Sequence, residues 1–319
     1  MRYAMTGATG FVGGALARLL RDEDHEVRAL VRDPARASDL AALGVELVPG
    51  DLGDATALDA LCAGVDGLFH VAGWYKLGQR DPSVGDRVNV DGTRNVLAAA
   101  ERAGVPKVVY TSTLAVNSDT HGQVRDETYR HAGPFTSHYD LTKARAHEIA
   151  EQFASEGLPV VIVQPGLVYG PGDTAQTGAF IEQVVRGKRP QVPAGGEVCW
   201  AHVDDIASGH LLAMRTGVTG ESYMLAGPRA TFAEGLRRIA AIAGTKGPMV
   251  LPTGVVRAAA ALMAVLGHVV PLPPDFAAET MRAGTATYLG TPAKAERDLG
   301  WRARDLDTGL RETVAALRG

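Results

Sequence analysis

Arg2-Tyr3-Ala4-Met5-Thr6-Gly7-Ala8-Thr9-Gly10-Phe11-Val12-Gly13, at the head of a 319-residue chain, runs from an apolar strand into a turn with a glycine at every third position. Gly7 can take the tight turn, and Gly10 removes a Cβ that would crowd a phosphate. Gly13 lets the following helix, predicted over 15–20, press against the strand. The start of that helix then offers free N–H groups and the positive end of its dipole to an anion. The spacing predicts a cradle for a pyrophosphate, and its place between strand and amphipathic helix strengthens that reading.

Working outward, short apolar strands alternate with amphipathic helices: strands over 26–31, 45–48, 67–72, 107–111 and 160–163, with helices ending near 43 and spanning 84–103 and 139–155. That rhythm predicts an α/β fold, a doubly wound parallel Rossmann sheet with right-handed crossovers, over residues 1–166. Beyond Gly166 the breaks at Gly170-Pro171-Gly172, Gly187-Lys188-Arg189-Pro190 and Pro193-Ala194-Gly195-Gly196 predict a smaller C-terminal lobe. Residues 167–319 are expected to be mainly substrate-binding, with some segments free to return to the sheet. A ligand in such a fold sits beyond the carboxyl ends of the strands, where the motifs below fall.

Hydrophobic residues make up 46% and charged residues 21%, with a net charge of −4, so no general attraction to nucleic acid or an anionic membrane is implied. Two cysteines, Cys62 and Cys199, and a first strand starting beside Met1 predict buried free thiols and a cytoplasmic setting. The longest apolar stretch, 254–270, is interrupted by Arg257 and His268 and is too short to span a bilayer. It is expected to be a helix packed on the body of the protein or lining a pocket. No integral membrane segment and no metal site are expected.

Tyr139-Asp140-Leu141-Thr142-Lys143 places a phenol and an ammonium one helical turn apart on one face. The cation favours the phenolate, which brings a group of pKa about 10 toward useful acid/base range. Thr111-Ser112-Thr113 closes the fifth strand, where hydroxyls can face the same cleft, or can simply cap a strand and begin a turn.

With these motifs the chain resembles the extended short-chain dehydrogenase/reductase family, the NAD-dependent epimerase/dehydratase superfamily. The match comprises Thr6–Gly13, Asp51-Leu52, His70-Val71-Ala72-Gly73, Asn89-Val90-Asp91-Gly92-Thr93, Tyr139-x-x-x-Lys143, Gln164 to Gly172 and His202-Val203-Asp204-Asp205. The resemblance implies that Tyr139 is the catalytic acid/base, Lys143 its partner on the nicotinamide ribose, Thr113 the aligning hydroxyl and Asn89 the helix asparagine near the site. It places Gly7, Thr9, Gly10, Phe11, Val12 and Gly13 on the dinucleotide phosphates and Asp51 and Leu52 by the adenine. Val71, Ala72, Gly73, Thr111, Pro165, Gly166 and Val168 complete the cofactor groove. A homodimer through the 84–103 and 139–155 helices is likewise implied.

Arg32 ends the second strand and Arg36 lies about one turn further on, where both can reach a ribose 2′-phosphate. NADP is therefore expected over NAD, with Asp33 the one residue that would favour NAD if it turned to the ribose. Leu114-Ala115 follows Thr113 where dehydratases of the family place an Asp-Glu pair, which disfavours dehydration. The segment Gly195 to His202 lacks the arginine with which nucleotide-sugar enzymes of the family grip phosphates. With Trp74, Ser112, Thr113, Tyr139 and Trp200 as expected substrate contacts, the chain resembles the dihydroflavonol-4-reductase-like branch. Hydride transfer to the carbonyl of an apolar aldehyde or ketone is the implied reaction. A nucleotide-sugar epimerase, gripping phosphates with Arg186, Lys188, Arg189, Arg215 or Arg282, is the alternative, and a non-catalytic dinucleotide sensor a lesser one.

Overall fold

The computed structural model describes residues 1–79, 81–266 and 277–318, with the side chains of 265 and 266 excepted. Its strands are β1 (Arg2–Thr6), β2 (Glu26–Val31), β3 (Glu46–Pro49), β4 (Gly67–His70), β5 (Val108–Thr111) and β6 (Val160–Pro165). There follow β7 (Leu167–Tyr169), β8 (Gln191–Pro193), β9 (Glu197–His202), β10 (Ser222–Leu225), β11 (Arg229–Thr231) and β12 (Met249–Leu251). Seven of them form one parallel sheet in the order β10-β6-β5-β4-β1-β2-β3, with the doubly wound switch between β1 and β4.

Alternation along each strand feeds two cores. Tyr3 and Met5 of β1 pack on one face with Leu16, Leu20, Ile206 and Leu211 from helices Phe11–Asp22 and Val203–Thr216. Ala4 faces the other side, among Leu58, Leu61, Val96, Leu97, Ile149 and Phe153 from helices Ala55–Cys62, Gly92–Arg102 and His138–Ser155. Covering both faces is why β6 is buried at every residue and why its first four residues, Val160–Val163, read as an unbroken apolar run.

Residues beyond 166 build a smaller layer, with sheets β11-β9-β7 and β12-β8 and a core of Tyr169, Trp200, Leu236 and Leu310. They also return β10 to the main sheet, parallel to β6. Both cysteines are free and buried.

Three local expectations shift. The fourth strand stops at His70 rather than 72, because Val71 and Ala72 bend past the glycine turn. The 84–103 helix is continuous over 83–102 but widens within: residues Asp86–Asp91 form a π-helical turn between Ser83–Gly85 and the α-helix Gly92–Arg102. Such wide turns occur where a side chain must be aimed at a site, and this one carries Asn89. The 254–270 helix is observed as Thr253–Leu266, and residues 267–270 lie outside the described ones. Among the described residues no helix is long and apolar enough to cross a membrane.

Candidate active site

A cleft of about 1420 Å³ opens along the carboxyl ends of β1–β6 and is closed on its far side by the second layer. At one end lies the glycine turn. Gly7 has φ +75°, and a Cβ there would stand 2.5 Å from the Ala72 nitrogen. A Cβ on Gly13 would stand 2.1 Å from the Gly7 carbonyl oxygen, so only glycine permits the helix to approach. Gly10 is the N-cap of helix Phe11–Asp22, and no side chain caps it. The uncapped first turn therefore faces the cleft with its N–H groups available to a diphosphate, with Thr9, Phe11 and Val12 alongside.

Arg32 lines the cleft at the end of β2. The Asp33 carboxylate is turned away to cap the short turn Pro34–Ala37, accepting from Ala35 N at 3.0 Å. Arg36 is exposed on that turn and is not among the cleft-lining residues. Asp51 Oδ1 accepts from Gly53 N at 2.7 Å, and Asp51 and Leu52 both line the cleft.

Val71, Ala72, Gly73, Thr111, Pro165, Gly166 and Val168 lead to the other end, where Tyr139, Lys143 and Thr113 meet. Ser137 caps the helix His138–Ser155 that carries the first two. Thr113 caps the short turn Leu114–Asn117 after β5, its Oγ1 accepting from Ala115 N at 3.2 Å while its hydroxyl bonds the Tyr139 phenol. Burial pushes that phenol up to about 12, opposed by the Thr113 bond, so Tyr139 is protonated at neutral pH and equipped to give a proton. Burial pushes the Lys143 ammonium down to about 7. Its Nζ donates to the Thr111 carbonyl at 2.8 Å and to the Tyr110 hydroxyl at 3.1 Å.

Other expected residues sit differently. Asn89 is buried and is a clamp: its Oδ1 accepts from Trp74 N at 2.7 Å, and its Nδ2 donates to Trp74 O and Thr142 Oγ1, each at 2.9 Å. Ser112 borders the cleft, but its hydroxyl is engaged by His147 Nδ1 at 2.8 Å. Thr111 Oγ1 likewise turns to His210 Nε2 at 2.8 Å, leaving its carbonyl for Lys143. Trp74 lines the cleft as expected. Trp200 does not, and its assignment as a substrate contact is corrected here: it is 0% exposed, stacked on Phe232 at 5.7 Å and bonded through Nε1 to the Ala230 carbonyl. A central strand of the second layer needs a large apolar side chain more than the cleft does.

The expected phosphate-gripping cations are elsewhere too. Arg186 pairs with Glu182 at 2.6 Å, Arg189 donates to Gly247 O, and Arg215 pairs with Glu23. None of these, nor Lys188 or Arg282, lines the cleft. The lining cations among the described residues are Arg32, Lys143 and Arg87, the last held by Ser83 at 2.6 Å and Asp81 at 3.8 Å. Val256, in the helix expected to pack on the body or line a pocket, is part of the cleft wall; sequence reasoning missed Leu114, in the turn after β5, and Val192, Met281 and Tyr288 of the second layer, whose irregular elements carry no periodic signal. It also missed Asp140, whose carboxyl burial pushes up to about 7 while Ser137 and Tyr288 donate to it.

The chain belongs to the NAD dependent epimerase/dehydratase family, whose model matches residues 3–226. It is 37% identical over 254 residues to a Synechocystis sp. protein named as a dihydroflavonol 4-reductase, covering 77% of this chain and 74% of that one. It is 30% identical to sterol demethylase protein B of Methylococcus capsulatus, over 100% of this chain and 98% of that one. The crystal structure of gox2253 superposes with a TM-score of 0.87 at 34% identity, covering 100% and 98% of the two chains. The protein is thus an extended short-chain dehydrogenase/reductase, an NAD(P)-dependent oxidoreductase.

Proposed function

We propose that this protein is an NADPH-dependent reductase of apolar aldehydes or ketones. One observation carries the reading: the second layer lines the cleft with Leu167, Val192, Val198, Val256 and Met281 and contributes no arginine or lysine among the described residues. A sugar diphosphate needs converging cations, whereas an apolar carbonyl compound needs this wall and one proton donor. The relatives' names, a dihydroflavonol reductase and a sterol-demethylating protein, support the same substrate class.

The dinucleotide, when bound, supplies the hydride. Tyr139 gives its proton to the carbonyl oxygen, Thr113 holds that oxygen and the phenol in line, and the charge of Lys143 favours the phenolate left behind. Asn89 acts at one remove, by fixing the backbone of Trp74 against helix His138–Ser155. Arg32, free of the Asp33 carboxylate, reads the 2′-phosphate, with Arg36 able to swing in from the same turn. The buried free thiols support a cytoplasmic setting, and a homodimer through helices Gly92–Arg102 and His138–Ser155 completes the proposal.

Following NADPH and NADH absorbance with a panel of apolar aldehydes and ketones tests it. The expected result is consumption of NADPH in preference to NADH. Interconversion of a nucleotide sugar without net NADPH consumption would replace the reading with an epimerase. Tight binding with neither reaction would make the protein a sensor.

A further inference from the structure

Beneath the cleft floor, five polar side chains that are each 5% exposed or less form one hydrogen-bonded chain: Lys143, Tyr110, Thr93, His70 and Thr6. Lys143 Nζ donates to the Tyr110 hydroxyl at 3.1 Å and stands 4.9 Å from the centre of its ring. Tyr110 bonds Thr93, Thr93 Oγ1 meets His70 Nε2 at 3.0 Å, and His70 Nδ1 meets Thr6 Oγ1 at 2.7 Å. The register makes this possible, because His70 lies beside Thr6 in one ladder and beside Tyr110 in the next. Both ends, Lys143 and Thr6, open on the cleft, and Thr6 immediately precedes Gly7 of the phosphate turn.

The chain has a direction. An ammonium can only donate, so the Tyr110 oxygen accepts and its proton points to Thr93. Thr93 then donates to His70 Nε2, which leaves the Nδ1 proton of a neutral ring for Thr6. Burial keeps His70 neutral, pushing it down to about 3, and holds Tyr110 as a phenol by raising its pKa. The groups facing the ammonium are Tyr110 and the Thr111 carbonyl of β5 and neutral His70 of β4; Tyr139, on the same helix as Lys143, lines the same cleft, and no carboxylate contributes to the titration of the ammonium. A buried cation so placed depends on its few neutral acceptors, and of the two observed only the Tyr110 hydroxyl is a side chain.

We propose that Tyr110 is a positioning residue for the reaction: its hydroxyl, oriented through Thr93 and His70 from Thr6, holds the Lys143 ammonium in place and ties it to the phosphate turn. The inference rests on the reading of Lys143 as the partner of Tyr139, and its test separates the two. In cofactor-free protein labelled at lysine carbons, the Lys143 signal, assigned by its loss in Lys143→Met, is titrated in wild type and in Tyr110→Phe. The midpoint is expected to fall by about one unit, the lower end of what a hydrogen bond to a charged group supplies. Thr93→Val, which frees the Tyr110 hydroxyl without removing it, is expected to shift it the same way by less, and it serves in place of Tyr110→Phe should that variant not fold. With NADPH and a reducible aldehyde, kcat is expected to fall about tenfold with KM for the aldehyde unchanged. A Lys143 midpoint unmoved by both substitutions, or a loss confined to KM, overturns the proposal. Absence of any aldehyde reduction by wild type would overturn the reductase reading while leaving the titration to decide on Tyr110.

Discussion

Burial acts on Tyr139 and Lys143 in opposite directions, raising the phenol and lowering the ammonium, and both shifts favour the neutral form. Replacing Tyr139 by Phe is therefore expected to reduce kcat by about 100-fold or more, while NADPH affinity by fluorescence titration stays within the error of wild type. The lysine also has a cost in stability. Its folded pKa, about 7, lies below its ordinary 10.5, so the unfolded chain binds more protons between those values and stability rises with pH across the window. The penalty is complete below about 7 and gone above about 10.5. Lys143→Met should therefore raise Tm most near about pH 6, with the gain shrinking toward about pH 10. A gain independent of pH would show that the ammonium is not desolvated. At the other end of the cleft, no ion pair with Arg32 forms among the described residues. Arg32→Ala is expected to weaken NADPH by about 1.5–3 kcal/mol and NADH far less, measured by competitive titration. Equal weakening of both would remove Arg32 as the phosphate reader.

At the scale of elements, the glycine turn separates two costs that a motif merges. A methyl on Gly13 meets the Gly7 carbonyl at 2.1 Å, a backbone contact that no rotamer relieves. Gly13→Ala should lose about 1–3 kcal/mol of stability together with dinucleotide binding. A Cβ on Gly10 would come only to 3.2 Å of that oxygen, so Gly10→Ala should keep a Tm near wild type and lose affinity alone, because its cost falls on the ligand side. Thermal unfolding run beside a binding titration distinguishes the pair, and identical behaviour would contradict the separation. The π-helical turn at Asp86–Asp91 belongs to the same scale, since it carries Asn89, which accepts from Trp74 N at 2.7 Å.

For the whole molecule, the second layer is fastened to the first by Asp119, which accepts from Thr287 N at 3.0 Å and Thr287 Oγ1 at 2.9 Å, and by Arg125 N donating to Leu289 O at 3.1 Å. That seam sets Tyr288 against Asp140, the residue next to Tyr139. The outer faces of the two helices proposed for dimerisation expose Arg94, Glu101 and Arg102 on one and Arg145, Glu148 and Gln152 on the other. Association through charged faces is weak and screened by salt. Light scattering across concentration is expected to show a dimer that dissociates as salt is raised, and one that survives molar salt would point to a different, apolar surface.

The parallel sheet, the phosphate turn and the Tyr139/Lys143 pair were readable from residue order because each rests on a local pattern: short apolar runs in strands buried on both faces, glycine at every third residue, a four-residue helical step. Arg32 at a strand end belongs with them. What residue order could not place depends on residues distant in the chain that touch only after folding. Trp200 resembled a cleft aromatic until β9 carried it into the second core, and Asp33 was ambiguous until its carboxylate was found capping its own turn. Asn89 became a clamp, Ser112 a partner of His147, and His70 and Tyr110 the links from Thr6 to Lys143. Local sequence dictates which way a backbone runs, but the direction of a buried hydroxyl or amide is chosen by whichever partner packing brings within 3 Å.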